Sequence, residues 1–304
     1  MRDKTRAFER YAVRRRMTDE LADLRQVFTL LEREPVFTTV GAPTTPDADA
    51  HPDAREVHES FSREGVAVLP GLLSRGRAED LVKTLRALRE RGLPPVFGYV
   101  LEAFWEPLAR LVPIVESVIG PCEVLADGWA WDIPPTEGRA GWAPHRGAYE
   151  LVRQADGRPG LVNVWVALSD VTRETACMHV VPLSKDSGYP DALRREPFDS
   201  QHAVAYPLEA GSALFWDASS LHWGGPMLPG APHARVAYSF TLRAKGVDYL
   251  TEFGTVSPER LPGKSALLDL VATQILRYGS LDDVPLPFVK WAAFLQSLRK
   301  SAAR

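Results

Sequence analysis

The chain has very little cysteine, with only two such residues among 304. Cys122 and Cys177 lie in apolar surroundings and do not form a Cys-x-x-Cys pair. The sequence therefore predicts neither a cysteine zinc site nor a disulfide framework. We interpret both residues as buried free thiols, the usual state of unpaired cysteines in globular proteins.

The sequence also lacks a strong charge bias and long apolar runs. Its 36 Lys and Arg residues against 39 Asp and Glu residues give a net charge of −3, which provides no reason to expect a nucleic-acid polymer as a partner. No apolar run approaches the roughly 18 residues of a membrane-spanning helix, and no apolar signal core follows the basic N-terminal residues. We therefore expect no membrane partner and a cytoplasmic location.

Hydrophobic periodicity divides the chain into three predicted parts. Residues 1–54 form an N-terminal helical extension and linker, because helical spacing of apolar residues gives way to GAPTTPDADAHPD. Residues 55–246 form the middle domain, a β core with its own helices. Residues 247–304 return to helical spacing and are expected to pack on that core as a C-terminal helical segment.

The middle part is rich in short alternating segments that carry Val, Trp, Tyr and Phe. They read CEVLADGWAWDI, LVNVWVALSDV, MHVVPLS, HAVAYPLEAGSALFWD and RVAYSFTLRA. Gly, Pro and Asp residues separate them, which is typical of an antiparallel sandwich or barrel. The predicted fold class is mainly β with flanking helices.

Two histidines and one arginine stand at ends of these predicted strands. His145 lies in the loop APHRGA, His222 follows the strand SALFWD, and Arg235 opens the strand RVAYSF. Neutral imidazoles held by rigid strands bind borderline metals, and a guanidinium pairs with a carboxylate through two parallel hydrogen bonds. Each residue alone is more often a structural or surface residue. Their order in one β region instead predicts a metal site beside a carboxylate-binding arginine.

From about Phe61 to Leu242 the sequence resembles the non-heme iron(II), 2-oxoglutarate-dependent oxygenases of the phytanoyl-CoA dioxygenase type. The motifs that carry the resemblance are SREGVAVLPGLL, VNVWVALSDVTRETACMHVVPLSKD, GSALFWDASSLHWGG and HARVAYSFTL. The resemblance implies a double-stranded β-helix, also called a jelly roll or cupin-like fold. One departure is PLSKD, which stands where the family usually has Pro-Gly-Ser-His.

The same resemblance implies the roles of several residues. His145 and His222 would hold iron(II), and Arg235 would bind 2-oxoglutarate. Trp165 matches a tryptophan that family members place near 2-oxoglutarate, and Asn163 shares its face of the strand because side chains alternate with a period of two.

Gly147 is the decisive departure from the oxygenases of this family. In them the loop reads His-x-Asp, and the Asp completes a facial triad of two histidines and one carboxylate, whereas here it reads His-Arg-Gly. The glycine removes that ligand and leaves room in which chloride, with the same charge as the carboxylate, can bind. The sequence thus resembles the free-standing iron/2-oxoglutarate halogenases. That resemblance implies chlorination of an unactivated C–H bond with iron(II), 2-oxoglutarate, chloride and O2.

Two alternatives remain open from the sequence. One is a hydroxylase that recruits Glu150 as its third ligand, for which the loop after His145 would have to fold back toward iron. The other is a non-catalytic descendant, because a fold does not determine a function. The retention of His145, His222 and Arg235 argues against the second alternative.

The expected substrate is a free-standing small molecule rather than one tethered to a carrier protein, the less favoured alternative. Basic and aromatic residues around the expected mouth favour a nucleotide or another phosphorylated metabolite, because guanidinium groups bind phosphate. The candidate substrate residues are Arg146, Tyr149, Arg153 and Trp223. Loop arginines are also commonly solvated and structural.

Overall fold

The computed structural model describes Val27, residues 54–257 and residues 260–302. The predicted N-terminal helical extension and linker lie outside the described residues, apart from Val27. The described chain divides into two compact units. The larger contains residues 54–83 together with Trp105–Leu261, and the smaller contains Val27, Thr84–Phe104 and the chain from Pro262 onward. The domain boundaries expected from periodicity stay a prediction.

Three helices begin in the larger unit. They are α1 (Ala54–Glu64), α2 (Arg75–Glu90), which continues into the smaller unit, and α3 (Leu108–Ile119). Helix α1 is amphipathic, and the ring of its buried Phe61 stacks on Phe215 with centroids 5.0 Å apart. Helix α3 ends at Gly120, whose φ of 75° is a conformation that favours glycine.

The described residues contain ten strands, and these lie in the larger unit. They are β1 (Val66–Leu69), β2 (Cys122–Leu125), β3 (Ala130–Ile133), β4 (Leu161–Ala167), β5 (Met178–Val180), β6 (Val204–Tyr206), β7 (Ala213–Asp217), β8 (His222–Gly224), β9 (Arg235–Ala244) and β10 (Thr255–Val256). Their brevity and their Gly, Pro and Asp boundaries agree with the alternating segments of the sequence.

The strands form two antiparallel sheets. The larger has the order β1-β7-β4-β9-β2-β10, with β3 also paired to β9, and the smaller has the order β6-β5-β8. Strand β4 is central: Asn163 pairs with Trp216 of β7 and with Thr241 of β9. The predicted fold class, mainly antiparallel β with flanking helices, is confirmed.

The smaller unit is helical. Its helices are α4 (Lys264–Tyr278) and α5 (Leu286–Ala302), and a 3-10 segment spans Pro95–Val100. The ring of Phe97 in that segment lies 5.6 Å from the ring of Phe288 and 5.5 Å from that of Trp291. These aromatic contacts form the centre of the unit's apolar core. Within the described part of the chain, none of the helices has the length and apolarity that crossing a bilayer requires.

Both cysteines are free and buried, as predicted. Burial disfavours the thiolate and raises the pKa of Cys122 to about 12, with the nearby Glu116 carboxylate adding to the shift. The thiol of Cys122 is therefore unreactive near neutral pH.

Gly211 provides a test of the backbone in the turn before β7. Its φ is +91°, and a Cβ added there would overlap the carbonyl oxygen of Leu73. Gly230 has a similar φ of +78° but faces open space. We expect Gly230→Ala to cost about 1–2 kcal/mol of unfolding free energy, the penalty for this conformation alone. Gly211→Ala should cost at least about 3 kcal/mol, because the overlap adds to that penalty. Urea unfolding of the two variants measures the difference, and equal losses would contradict this account of the turn.

Candidate metal centre

His145 and His222 lie directly opposite each other. The backbone N–H of each donates to the carbonyl of the other, at 3.1 Å and 3.0 Å. This bridge joins the loop after β3 to the start of β8 and brings the two imidazole centroids to 4.3 Å. Two residues 77 positions apart in the chain are thereby placed side by side on one rigid scaffold.

Hydrogen bonds to backbone carbonyls orient both imidazoles. The Nδ1 atom of His145 lies 2.7 Å from the Ala143 carbonyl oxygen, and that of His222 lies 3.0 Å from the Ser220 carbonyl oxygen. A carbonyl can only accept, so each Nδ1 donates and each Nε2 keeps its lone pair. Both histidines can therefore offer Nε2 to one metal ion.

The protonation state of the pair suits metal binding. Burial lowers the pKa of His222 well below its usual range, and the neighbouring His145 lowers it further. Burial likewise lowers the pKa of His145. Both imidazoles are therefore neutral near pH 7, which is the form that binds a metal.

Gly147, two residues after His145, has an ordinary backbone. Its φ lies outside the left-handed region, so a side chain would not strain the main chain at this position. A Cβ added there would instead stand 2.8 Å from Nδ2 and 2.9 Å from Oδ1 of Asn163. The side-chain amide of Asn163 thus adjoins the space that a side chain at position 147 would need.

A small cavity of about 60 Å³ opens beside the two histidines. Its lining consists of Trp131, Trp142, His145, Asn163, Trp165, Met178, Trp216, His222, Gly224, Arg235 and Ser239. The lining contains no carboxylate, and the described part of the chain contains no group of three or more His, Cys, Asp or Glu side chains that could hold a metal. Protein residues would therefore supply two metal ligands and no third.

Arg235 supplies the positive charge of this cavity. It is 1% exposed, lies at the start of β9 and donates through Nη1 to the Ala176 carbonyl oxygen at 2.8 Å. Its guanidinium carbon lies 5.7 Å from the centre of the Trp165 ring. A Cβ on either Gly141 or Gly224 would overlap the guanidinium, so both glycines make room for it.

Buried polar atoms at the cavity fit iron and a dicarboxylate such as 2-oxoglutarate. Asn163 Oδ1 and the indole nitrogens of Trp131, Trp165 and Trp216 are buried without a hydrogen-bond partner. Leaving such groups unpaired costs free energy unless a ligand satisfies them. Donors aimed at the cavity beside a buried arginine suit carboxylate oxygens, and two imidazole nitrogens suit iron.

Arg146, a candidate substrate residue, lies outside this cavity in a buried ion pair. Its guanidinium donates to both carboxylate oxygens of Asp186, at 2.5 Å and 3.0 Å, and both side chains are 2% exposed. It also donates to the carbonyl oxygens of Ser219, at 2.6 Å, and Leu193, at 3.1 Å. Arg146 thus ties the loop of His145 and Gly147 to the turn that precedes His222.

The other three candidate substrate residues also lie outside the cavity lining. Arg153 donates to Asp217 at 2.6 Å and to the hydroxyl of Tyr189. Tyr149 is 36% exposed. Trp223 stacks on His179 with ring centroids 5.4 Å apart, and because side chains alternate along a strand it faces away from the side that carries His222. Their contribution to substrate binding stays a prediction.

A second, larger cavity of about 650 Å³ lies beyond the glycine loop. It is lined by residues 150–156 and by residues 245–249, and it includes Arg153 and Lys245. Glu150, the alternative third ligand, lines this larger cavity and is exposed to solvent. The structure therefore does not bring Glu150 into the lining beside the two histidines.

Sequence reasoning missed several residues of the centre. Trp131, Trp142 and the glycine pair that accommodates Arg235 carried no signal in a single sequence, because their partners are distant in the chain. In the sequence, Trp216 is only one of two aromatic residues in the predicted strand SALFWD. Its place on a strand that ends just before His222 is the signal that could have located it at the metal centre.

Comparison with known proteins shows the family and the fold. The family model described as phytanoyl-CoA dioxygenase (PhyH) matches residues 19–229. The non-heme monooxygenase ThoJ, in its nickel complex, is 19% identical over 75% of this chain and 98% of its own, with a TM-score of 0.55. This likeness shows the shared fold. A search of curated proteins found no match.

Two further solved structures are similar, at lower TM-scores. The 2-oxoglutarate complex of EvdO2 from Micromonospora carbonacea var. aurantiaca is 20% identical, covers 74% of this chain and 97% of its own, and has a TM-score of 0.48. The α-ketoglutarate-dependent epimerase SnoN from nogalamycin biosynthesis is 19% identical over 69% of this chain and 91% of its own, also at 0.48.

Metal binding can be tested at His222. Anaerobic addition of iron(II) and 2-oxoglutarate should produce a visible metal-to-ligand charge-transfer band in the wild type, and His222→Ala should abolish it because one imidazole ligand is lost. His202→Ala is the matched control, since His202 is exposed, and it should keep the band. A folded wild-type protein without the band would show the metal assignment to be wrong.

The buried pair of Arg146 and Asp186 predicts a large effect on stability. Arg146→Met leaves a buried carboxylate without its partner and should lower the unfolding free energy by about 3–5 kcal/mol. The matched control is Arg75→Met, because Arg75 also contacts both oxygens of one carboxylate, Asp170, but the two side chains are 53% and 42% exposed. That change should cost at most about 1 kcal/mol. Similar losses in the two variants by urea unfolding would contradict the assignment of Arg146 as a buried anchor.

Proposed function

The chain belongs to the phytanoyl-CoA dioxygenase family of iron(II)/2-oxoglutarate-dependent enzymes, and from this premise we propose that it is a halogenase. The proposed reaction is the chlorination of an unactivated C–H bond in a free-standing small molecule. His145 and His222 are the proposed metal ligands, and Gly147 marks the coordination position that chloride takes. Iron(II), 2-oxoglutarate, O2 and chloride are the proposed cofactors and cosubstrates.

The observation that carries the proposal is that Gly147 stands against Asn163, which lines a cavity that contains two oriented histidines and no carboxylate. A glycine retained for backbone conformation would have a positive φ, and Gly147 does not. Its lack of a side chain is therefore a matter of space, which the amide of Asn163 takes up on one side and which the proposed halide would share beside the metal. A halide in that place keeps the charge that a ligating carboxylate would have had.

The chain's own residues would bind and orient the cosubstrates. When bound, iron, 2-oxoglutarate and O2 supply the hydrogen abstraction, and chloride supplies the halogen. Arg235 would pair with a carboxylate of 2-oxoglutarate, and the indole N–H of Trp165 would donate to the same ligand. The two imidazoles would stay neutral because burial lowers the pKa of each, and the backbone carbonyls that accept from Nδ1 would leave each Nε2 free to bind the metal.

Access to the cavity would depend on Trp142. A cavity of about 60 Å³ is far smaller than the roughly 300–1,000 Å³ of typical small-molecule sites. The half-buried Trp142 contacts Trp131 edge to face, with centroids 5.2 Å apart, and its ring lies 5.7 Å from His145. We propose that Trp142 turns outward when 2-oxoglutarate binds, because it is more exposed than the other tryptophans that line the cavity.

The placement of Glu150 weighs against the hydroxylase alternative. Its side chain is exposed and lines the larger cavity, so recruitment to iron would require the loop from Ala148 to Glu150 to refold. Ala148 is fully buried in an apolar cluster with Val152 and Leu161, and its N–H donates to the Ala218 carbonyl oxygen at 2.8 Å. These contacts oppose that movement.

The favoured substrate class is a nucleotide or another phosphorylated metabolite. The larger cavity begins three residues after Gly147, and its charged lining consists of Lys245, of Arg153, which is paired with Asp217, and of three acidic residues, Glu150, Asp156 and Asp248. Lys245 is the cation that would bind a phosphate there. The volume of this cavity, about 650 Å³, is in the range of small-molecule sites. Arg146 is fully engaged with Asp186, so it contributes to the loop rather than to substrate recognition.

The reaction class can be tested with a panel of nucleotides and other phosphorylated metabolites. Incubation with the enzyme, iron(II), 2-oxoglutarate, O2 and chloride should yield a product whose mass spectrum shows the chlorine isotope doublet. His222→Ala and a reaction with nitrate in place of chloride are the controls, and both should lack the doublet. A product that gains oxygen instead, at saturating chloride, would support the hydroxylase alternative.

Gly147→Asp tests the coordination position itself. The new carboxylate competes with chloride for one position on the metal, so chlorinated product should fall at least about tenfold while iron binding is retained. Gly147→Ala is the control, because a methyl group is not a ligand and the backbone there accepts a side chain; it requires only a small shift of Asn163. It should keep measurable chlorination. If Gly147→Asp chlorinates as well as the wild type, the halogenase assignment is wrong.

A further inference from the structure

The small cavity has two distinct ends along strand β4. Asn163 and Trp165 project to the same face and are separated by roughly 7 Å, the span of two strand residues. Arg235 lies over Trp165 at one end. At the other end, Asn163 stands against Gly147 and pairs in register with Trp216. A dicarboxylate held by the arginine end would leave the glycine end for a different, smaller ligand.

Trp216 lines the cavity beside Asn163 and has an unused indole donor. Trp216 is 3% exposed, lines the cavity and has its ring centroid 4.6 Å from that of His222. Its Nε1 is buried without a hydrogen-bond partner. An indole nitrogen can only donate, so the ligand that satisfies it must be an acceptor.

We propose that the indole N–H of Trp216 donates a hydrogen bond to the halide at the coordination position beside Gly147 and thereby sets the enzyme's affinity for halide. The inference rests on the proposed function and names a specificity-determining residue within it. A halide is a compact anion with no donor of its own, so a dry cavity must replace its hydration with N–H groups. Trp216 provides such a group at the end of the cavity opposite Arg235.

The experiment compares Trp216→Phe with the wild type by anaerobic titration. Phenylalanine keeps an aromatic ring in the core but lacks the donor. Chloride is added to the protein loaded with iron(II) and 2-oxoglutarate, and the shift of the charge-transfer band gives the Kd for chloride. The Kd for 2-oxoglutarate comes from the growth of the same band without chloride. Trp131→Phe is the matched control, because Trp131 also lines the cavity with an unpartnered indole nitrogen.

Trp216→Phe should raise the Kd for chloride at least about tenfold, equivalent to about 1.4 kcal/mol, and change the Kd for 2-oxoglutarate less than about twofold. Trp131→Phe should leave the Kd for chloride within about twofold of the wild type. The inference is overturned if Trp216→Phe leaves chloride binding unchanged, weakens only 2-oxoglutarate, or affects chloride no more than Trp131→Phe does. If the wild type shows no chloride-dependent shift at all, the proposed function fails first.

A measurement on the wild type decides the matter if Trp216→Phe does not fold. The sample is protein with 15N-labelled indoles on its eight tryptophans and with zinc(II) in place of iron. At constant 2-oxoglutarate, chloride should move an indole N–H resonance over the concentration range that the Kd for chloride of the iron-loaded protein predicts. A spectrum in which no indole resonance responds to chloride would overturn the inference.

Discussion

The site depends on one pair of backbone hydrogen bonds, those between His145 and His222. They join a loop to a strand and set two imidazole centroids 4.3 Å apart before any ligand binds. Each ring is then oriented by a carbonyl two residues earlier, Ala143 or Ser220. Because the polar partners are main-chain atoms, the metal-binding geometry is built into the fold itself.

The absence of a side chain at Gly147 acquires meaning only within that geometry. Two neutral imidazoles bring no negative charge to a divalent ion, and the lining of the cavity contains no carboxylate to provide one. A halide would restore part of that balance in a poorly solvated cavity, where charge interactions are strong. The buried pair of Arg146 and Asp186 holds the same loop in place, and its two opposite charges offset each other.

The fold and the two histidines were accessible from the sequence, because strands alternate with a period of two and end at Gly, Pro and Asp turns. The family resemblance then identified Arg235 and the unusual glycine. The surroundings of these residues were less accessible, since they depend on contacts between distant segments. The sequence suggests that Arg146 is a solvated cation in a loop. In the structure it is buried and paired with Asp186, which lies 40 residues away in the chain. Trp223 illustrates a signal that strand alternation already contained, because the neighbour of an inward His222 must face outward.

The central claim is that a halide occupies the metal coordination position that a protein carboxylate would otherwise fill beside the two histidines. Crystals grown anaerobically with iron(II), 2-oxoglutarate and bromide, measured on both sides of the bromine absorption edge, test it directly. The account predicts an anomalous bromine peak at bonding distance from iron and beside Gly147. Iron ligated there by the Glu150 carboxylate, or by water at saturating bromide, would contradict it.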